Sequence, residues 1–247
     1  NRLATAARRH GWQLRLGILD RNGSGNPGVN ELLAASEAVL LTSIQEGFGL
    51  PFLEAAAARR PLIARSIPNV APDLRQLGFS FPQSYDELLI DPRLFDWSAE
   101  LARQKKLFAA WRNQLPRAGR KLAGTPLLLM RGKKPRAVPF SRLTLSAQLE
   151  VLGRPADVSW ELCGPLNPFL ETWRKRASGG RLQITPWPRV AARWLSGRSY
   201  ARHFARIARA TGRVDRRLNS ALTAQDDFLR EKLCAQHLFP LLWSRDT

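Results

Sequence analysis

The chain has 247 residues, 44% of them hydrophobic and 24% charged. This is an ordinary globular composition with enough apolar material for a core, as one large domain or two small ones. No apolar run approaches the ~18 residues that span a bilayer, and no secretory signal is visible. Cys163 and Cys234 lie far apart in no CxxC pair, which argues against a disulfide framework and fits a reducing cytoplasm. The net charge of +19 is uneven, with +4 over residues 1–117 and +15 over residues 118–247. Such an excess suggests a nucleic-acid binder. It is nearly all arginine, however, which codon bias in a GC-rich genome also supplies, so nucleic acid is not an expected partner.

In chain order, residues 2–10 read as the end of a helix, with Leu3, Ala6 and Ala7 on one face. Alternation of Leu14, Leu16 and Ile18 predicts a strand over 13–19, and a Gly/Asn/Pro loop follows at 20–28. A short helix is expected over 29–36. The continuous apolar run 38–42 reads as a buried parallel strand. Pro51 at a first helical position marks a helix over 51–60, followed by a short strand over 62–64. A longer helix over 96–114 is expected to turn Leu101, Leu107, Phe108 and Trp111 to the core. Strands alternating with helices imply a parallel α/β sheet of Rossmann-like type with helices on both faces. The composition shifts near 115–139, so the expected domains are 1–117 and 118–247. The second is Arg- and Trp-rich and mainly helical, with helices at 141–152, 189–211 and 219–236. It carries no readable motif.

The chemistry concentrates after the strand 38–42. Ligands of open α/β sheets bind beyond the carboxyl ends of the strands, and the loop Ile44–Leu50 occupies that place. Gly47 and Gly49 allow close backbone approach to a ligand and positive φ. Free N–H groups at the start of the following helix favour an anion such as a diphosphate. Glu46 in the loop and Glu54 one helical turn beyond Pro51 offer two carboxylates for two polyols. That arrangement suits a nucleotide-diphosphate sugar.

The run Ser43-Ile-Gln-Glu46-Gly-Phe-Gly-Leu-Pro-Phe-Leu-Glu54-Ala-Ala-Ala resembles the E-x7-E motif of GT-B retaining glycosyltransferases, family 4 in particular. Residues 29–43 resemble the helix and strand leading into that motif. Pro61 to Pro68 resembles the strand and loop after it, and the likeness extends over roughly residues 1–115. The resemblance implies a donor-binding domain of GT-B type over 1–117, in which Glu46 is the catalytic-site residue that contacts the donor sugar. Ser43, Gly47, Phe48, Gly49 and Leu50 would line the sugar and phosphates, and Glu54 would hold the ribose. It implies transfer of a glycosyl group from a UDP- or GDP-linked sugar with retention of configuration, with no metal and no cofactor besides the donor. Two departures stand out. Arg59 occupies a turn position where members of the family carry glycine. The Arg and Lys that grip the diphosphate in the family find no match here. An N-terminal acceptor domain is therefore expected upstream of Asn1, with the chain as a fragment of a longer enzyme.

The alternative is a non-catalytic donor-domain remnant whose basic half binds an anionic surface. Tyr200, Phe204 and Ile207 share one face of a predicted helix, while Arg202, Arg206, Arg209 and Arg213 spread over the other. Such a helix can lie on an anionic membrane or bind an acidic partner, though more often it packs its apolar face and solvates its arginines. The expected location is the cytoplasm, with peripheral contact at a membrane surface as a secondary expectation. Gly23-Ser-Gly-Asn-Pro-Gly28 spells a dinucleotide-binding GxGxxG, yet Pro27 and the asparagines favour a plain surface loop over an oxidoreductase. Cys234 and His237 share a helical face but do not make a zinc site. Trp187, between two prolines, is a candidate sugar-stacking residue, with core packing the favoured role.

Overall fold

The computed structural model describes residues 2–18, 27–130, 134–210 and 218–243. In chain order these form α1 (Arg2–His10), α2 (Val29–Ala35), β1 (Val39–Leu41), α3 (Leu50–Ala57), β2 (Leu62–Arg65), α4 (Ala71–Gln76), β3 (Gln83–Tyr85) and β4 (Leu89–Ile90). There follow α5 (Trp97–Gln114), α6 (Arg117–Leu122), β5 (Val138–Pro139), α7 (Leu145–Leu152), α8 (Ala156–Cys163), α9 (Pro168–Ser178), α10 (Arg189–Trp194), α11 (Gly197–Ala210) and α12 (Leu218–Lys232). The protein is of mixed α/β class, with a parallel three-stranded sheet in the order β1-β2-β3.

Contacts divide the chain into two compact units, neither of them continuous in sequence. One comprises residues 15–86 and 172–215; the other comprises 1–14, 87–171 and 216–247. This division does not coincide with the sequence boundary at 117/118. In the first unit, Gln83 is fully buried. Its side chain donates to the carbonyls of Gln183 at 2.8 Å and Leu62 at 3.3 Å, and accepts from Gln183 N–H at 3.1 Å. Thr185 Oγ1 donates to the Ser80 carbonyl at 3.0 Å, and Ile184 bridges Pro61 antiparallel. A segment a hundred residues downstream is thus fastened to the sheet by buried amide bonds, each worth about 1 kcal/mol net and more costly to leave unmade.

The sheet unit is held by a core that includes Phe52, Leu62, Ala64, Ile67, Phe79 and Phe81. Phe52 of α3 meets Phe81 edge-on at 4.9 Å, and burying such a ring contributes about 1.5–3 kcal/mol. Register pairs Val39 with Leu62 and Ile63 with Gln83. The strand expected over 13–19 is not formed. Residues 12–17 carry no regular structure, Leu14, Leu16 and Ile18 are exposed, and Gly17 sits at φ +71°. Alternation predicts a strand only where one face is buried, and these three side chains stay 38–47% exposed.

The other unit has its own core around Ile90, Leu94, Phe95, Val138, Leu143 and Val151. The antiparallel pair β4-β5 borders it. Here α5 turns the expected face inward, but two polar residues on that face are its most deeply buried. Leu101 packs against the core, and Phe108 and Trp111 meet Trp243 at 5.3 and 6.2 Å. The fully buried positions are Glu100 and Gln104. Glu100 accepts from Thr144 N–H at 2.7 Å, Thr144 Oγ1 at 2.5 Å, Gln104 Nε2 at 2.8 Å and Arg103 Nε at 3.1 Å. A carboxylate with four donors offsets the desolvation that makes buried charge costly.

The other expected helices survive with shifted ends. The span 141–152 begins as a 3-10 turn at Phe140–Arg142 before Thr144 caps α7. The span 189–211 breaks between α10 and α11, and 219–236 ends its regular helix at Lys232.

Candidate functional site

The loop from Thr42 to Gly49 leaves the carboxyl end of β1 and enters α3. The strand order follows the sequence without reversal, so the placement rests on the strand end rather than on a switch point in the sheet. Gly49 caps α3 in the left-handed region at φ +69°. A Cβ there would stand 2.2 Å from Val70 Cγ1, so the conformation and the space both require glycine. Gly47 carries no such demand, with nothing within 4 Å of an added Cβ. Pro51 falls at the second helical position rather than the first, and Phe52 N–H bonds back to the Gly49 carbonyl at 3.0 Å.

Among the described residues, the N–H groups of Gly47, Phe48, Gly49 and Leu50 meet no acceptor. N–H groups left free where a loop enters a helix favour an anion. Glu46 and Glu54 are both half-buried, and neither carboxylate has a hydrogen-bond or ion-pair partner among the described residues. Ser43 is also half-buried, Leu50 is exposed, and the Phe48 ring is 87% exposed.

Two residues outside the motif shape the loop. Asn69 Nδ2 donates to the Glu46 carbonyl at 2.8 Å, and Val70 is the wall against which Gly49 closes. Both follow β2, just past Pro68, where the sequence resemblance ends; their only signal is that adjacency. Downstream of the motif, α3 ends in a Schellman pattern: Arg60 N–H reaches the Ala55 carbonyl at 2.9 Å and Arg59 N–H reaches that of Ala56 at 3.2 Å. Arg59 carries φ +53°. The turn thus has the backbone that glycine favours, occupied by arginine.

The remaining sequence signals resolve differently. Of the GxGxxG run, only Pro27 and Gly28 lie within the described residues; Gly28 N–H is taken by Glu31 at 2.8 Å at the start of α2. Trp187 packs edge-on against buried Phe79 at 5.3 Å and lines a cleft of about 640 Å³ with Ala56, Arg59 and Thr185. A second cleft, of about 710 Å³, is lined by Arg2, Arg9, His10, Ser146 and Arg154. Neither cleft includes Glu46 or Glu54. His237 Nδ1 lies 2.6 Å from the Glu231 carbonyl and 3.5 Å from Cys234 Sγ, a local helix-end contact. No group of three metal-ligating side chains gathers among the described residues. Burial pushes the Cys163 thiol above its usual range. No helix among the described residues is long and apolar enough to cross a membrane. No protein-family model, curated protein or solved structure matches this chain.

Proposed function

We propose that this chain holds the nucleotide-sugar donor site of a retaining glycosyltransferase of GT-B type, centred on Ser43–Glu54. The single observation that carries the reading is the row of N–H groups from Gly47 to Leu50 that meet no acceptor among the described residues, flanked by two carboxylates that have no partner among them. The donor's diphosphate would sit against these N–H groups, with Glu46 receiving hydroxyls of the transferred sugar and Glu54 those of the ribose. In the reaction, the bond from the anomeric carbon to the phosphate oxygen breaks. The acceptor oxygen bonds to the same face, and the acceptor's hydroxyl proton passes to the departing diphosphate. Preorganised N–H dipoles favour that reaction by stabilising charge as it develops on the leaving group.

The test is thermal unfolding of the chain with UDP, GDP and their sugar conjugates, beside Glu54→Ala. A ligand at about a hundred times its dissociation constant adds about 2.7 kcal/mol of stability. The reading predicts an upward shift with one nucleotide series, lost in the variant. No shift with any nucleotide would refute a working donor site in this chain.

A further inference from the structure

We infer that α11 is an interfacial helix whose partner is the surface of an anionic lipid bilayer, a property independent of the donor site. From Thr172 to Val214 the sequence carries eleven Lys and Arg and no Asp or Glu. Among the described side chains of α11 none is buried, and only Ser199, His203 and Ala205 are half-buried. Tyr200, Phe204 and Ile207, spaced four and three apart, stack along one side and are 70%, 61% and 61% exposed. Trp194, half exposed and stacked on His203 at 4.9 Å, adds to the exposed apolar surface near the start of the helix. Arg198, Arg202, Arg206 and Arg209 fall along the opposite side, all exposed.

A helix of 14 residues with no buried side chain among those described is marginal in water, since isolated helices of about 12–15 residues gain too little without packing. An amphipathic face of Trp, Tyr, Phe and Ile with an arginine-rich polar side gains that packing at a headgroup boundary. The cations supply the approach, because anionic leaflets attract basic segments over about one Debye length. A nucleic acid fits less well. Its phosphates demand cations at the centre of the contact, whereas the centre of this stripe is Phe204 and Ile207, and isoleucine has no ring on which a base can stack.

The experiment is co-sedimentation of the intact chain with vesicles of equal parts phosphatidylglycerol and phosphatidylcholine, and with phosphatidylcholine alone. It is repeated with Phe204→Glu/Ile207→Glu, with circular dichroism and the unfolding midpoint read in parallel. The expected result is binding to the anionic vesicles that weakens with added salt and a gain of helix on binding. The double variant should bind about tenfold or more weakly with its midpoint unchanged, since both replaced side chains are exposed. Three results would overturn the inference: no binding to anionic vesicles at low salt, equal binding by the double variant, or self-association or duplex-DNA binding through this face without vesicle binding.

Discussion

Replacing Gly49 with alanine tests the geometry of the loop most sharply. The left-handed backbone at φ +69° costs an L-residue roughly 1–2 kcal/mol. The new Cβ would also stand 2.2 Å from Val70 Cγ1, and Val70 is buried in the sheet core and cannot swing into solvent. Overpacking of that kind costs about 1–3 kcal/mol, so the substitution should destabilise by about 2–5 kcal/mol. At 2–4 °C per kcal/mol, the midpoint should fall by roughly 4–20 °C. Gly47→Ala, with open space and no positive φ, should stay within about 0.5 kcal/mol of the parent. Denaturant titration of both variants separates the cases. Gly49→Ala/Val70→Ala should lose less than the sum of its single variants, because the first clash partner is gone. A midpoint for Gly49→Ala equal to that of Gly47→Ala would refute the left-handed, closely packed cap.

Arg59→Gly should be neutral to stabilising by up to about 1 kcal/mol in chemical denaturation, since relief of the left-handed backbone outweighs the added freedom of glycine in the unfolded chain. Glu100→Ala should destabilise by about 3–5 kcal/mol, because Thr144, Gln104 and Arg103 lose a shared buried acceptor; a loss under about 1 kcal/mol would contradict the network. Hydrogen bonds from the Arg93 side chain hold the Asp91 carboxyl below its usual range. A lowered folded-state pKa gives stability that is present above the ordinary aspartate range and lost as the pH falls through the folded value. Asp91→Asn should therefore narrow the stability difference at acid pH, seen as a flatter acid limb of midpoint against pH. Cys163, buried with its thiol pKa raised, should alkylate far more slowly than half-buried Cys234 in the native protein, which mass spectrometry after a short iodoacetamide pulse would read.

Local signals in the sequence served where the chain encodes them locally. The apolar run Ala38–Thr42, Pro51 at the start of a helix and the short run 62–64 located β1, α3 and β2 to within a few residues. The alternation at Leu14, Leu16 and Ile18 misled, because periodicity says what a strand would bury and not whether anything lies there to bury it. The grip of Gln83 and Thr185 on the segment 183–185 was invisible, since a contact across a hundred residues leaves no pattern in either stretch. Glu100 and Gln104 were not among the residues expected in the core, because their burial depends on Thr144, which donates to Glu100, and on the Arg142 carbonyl, which accepts from Gln104. At the candidate site the glycines and carboxylates were legible. Asn69 and Val70, which shape the loop from the next crossover, were not.

The most direct measurement is saturation-transfer difference NMR of a UDP- or GDP-linked sugar with the intact chain. The account predicts strong transfer to both the ribose and hexose protons, with Glu54→Ala weakening the ribose signals and Glu46→Ala the hexose signals. Transfer absent from both rings, or untouched by either substitution, would contradict a donor site in the loop after β1.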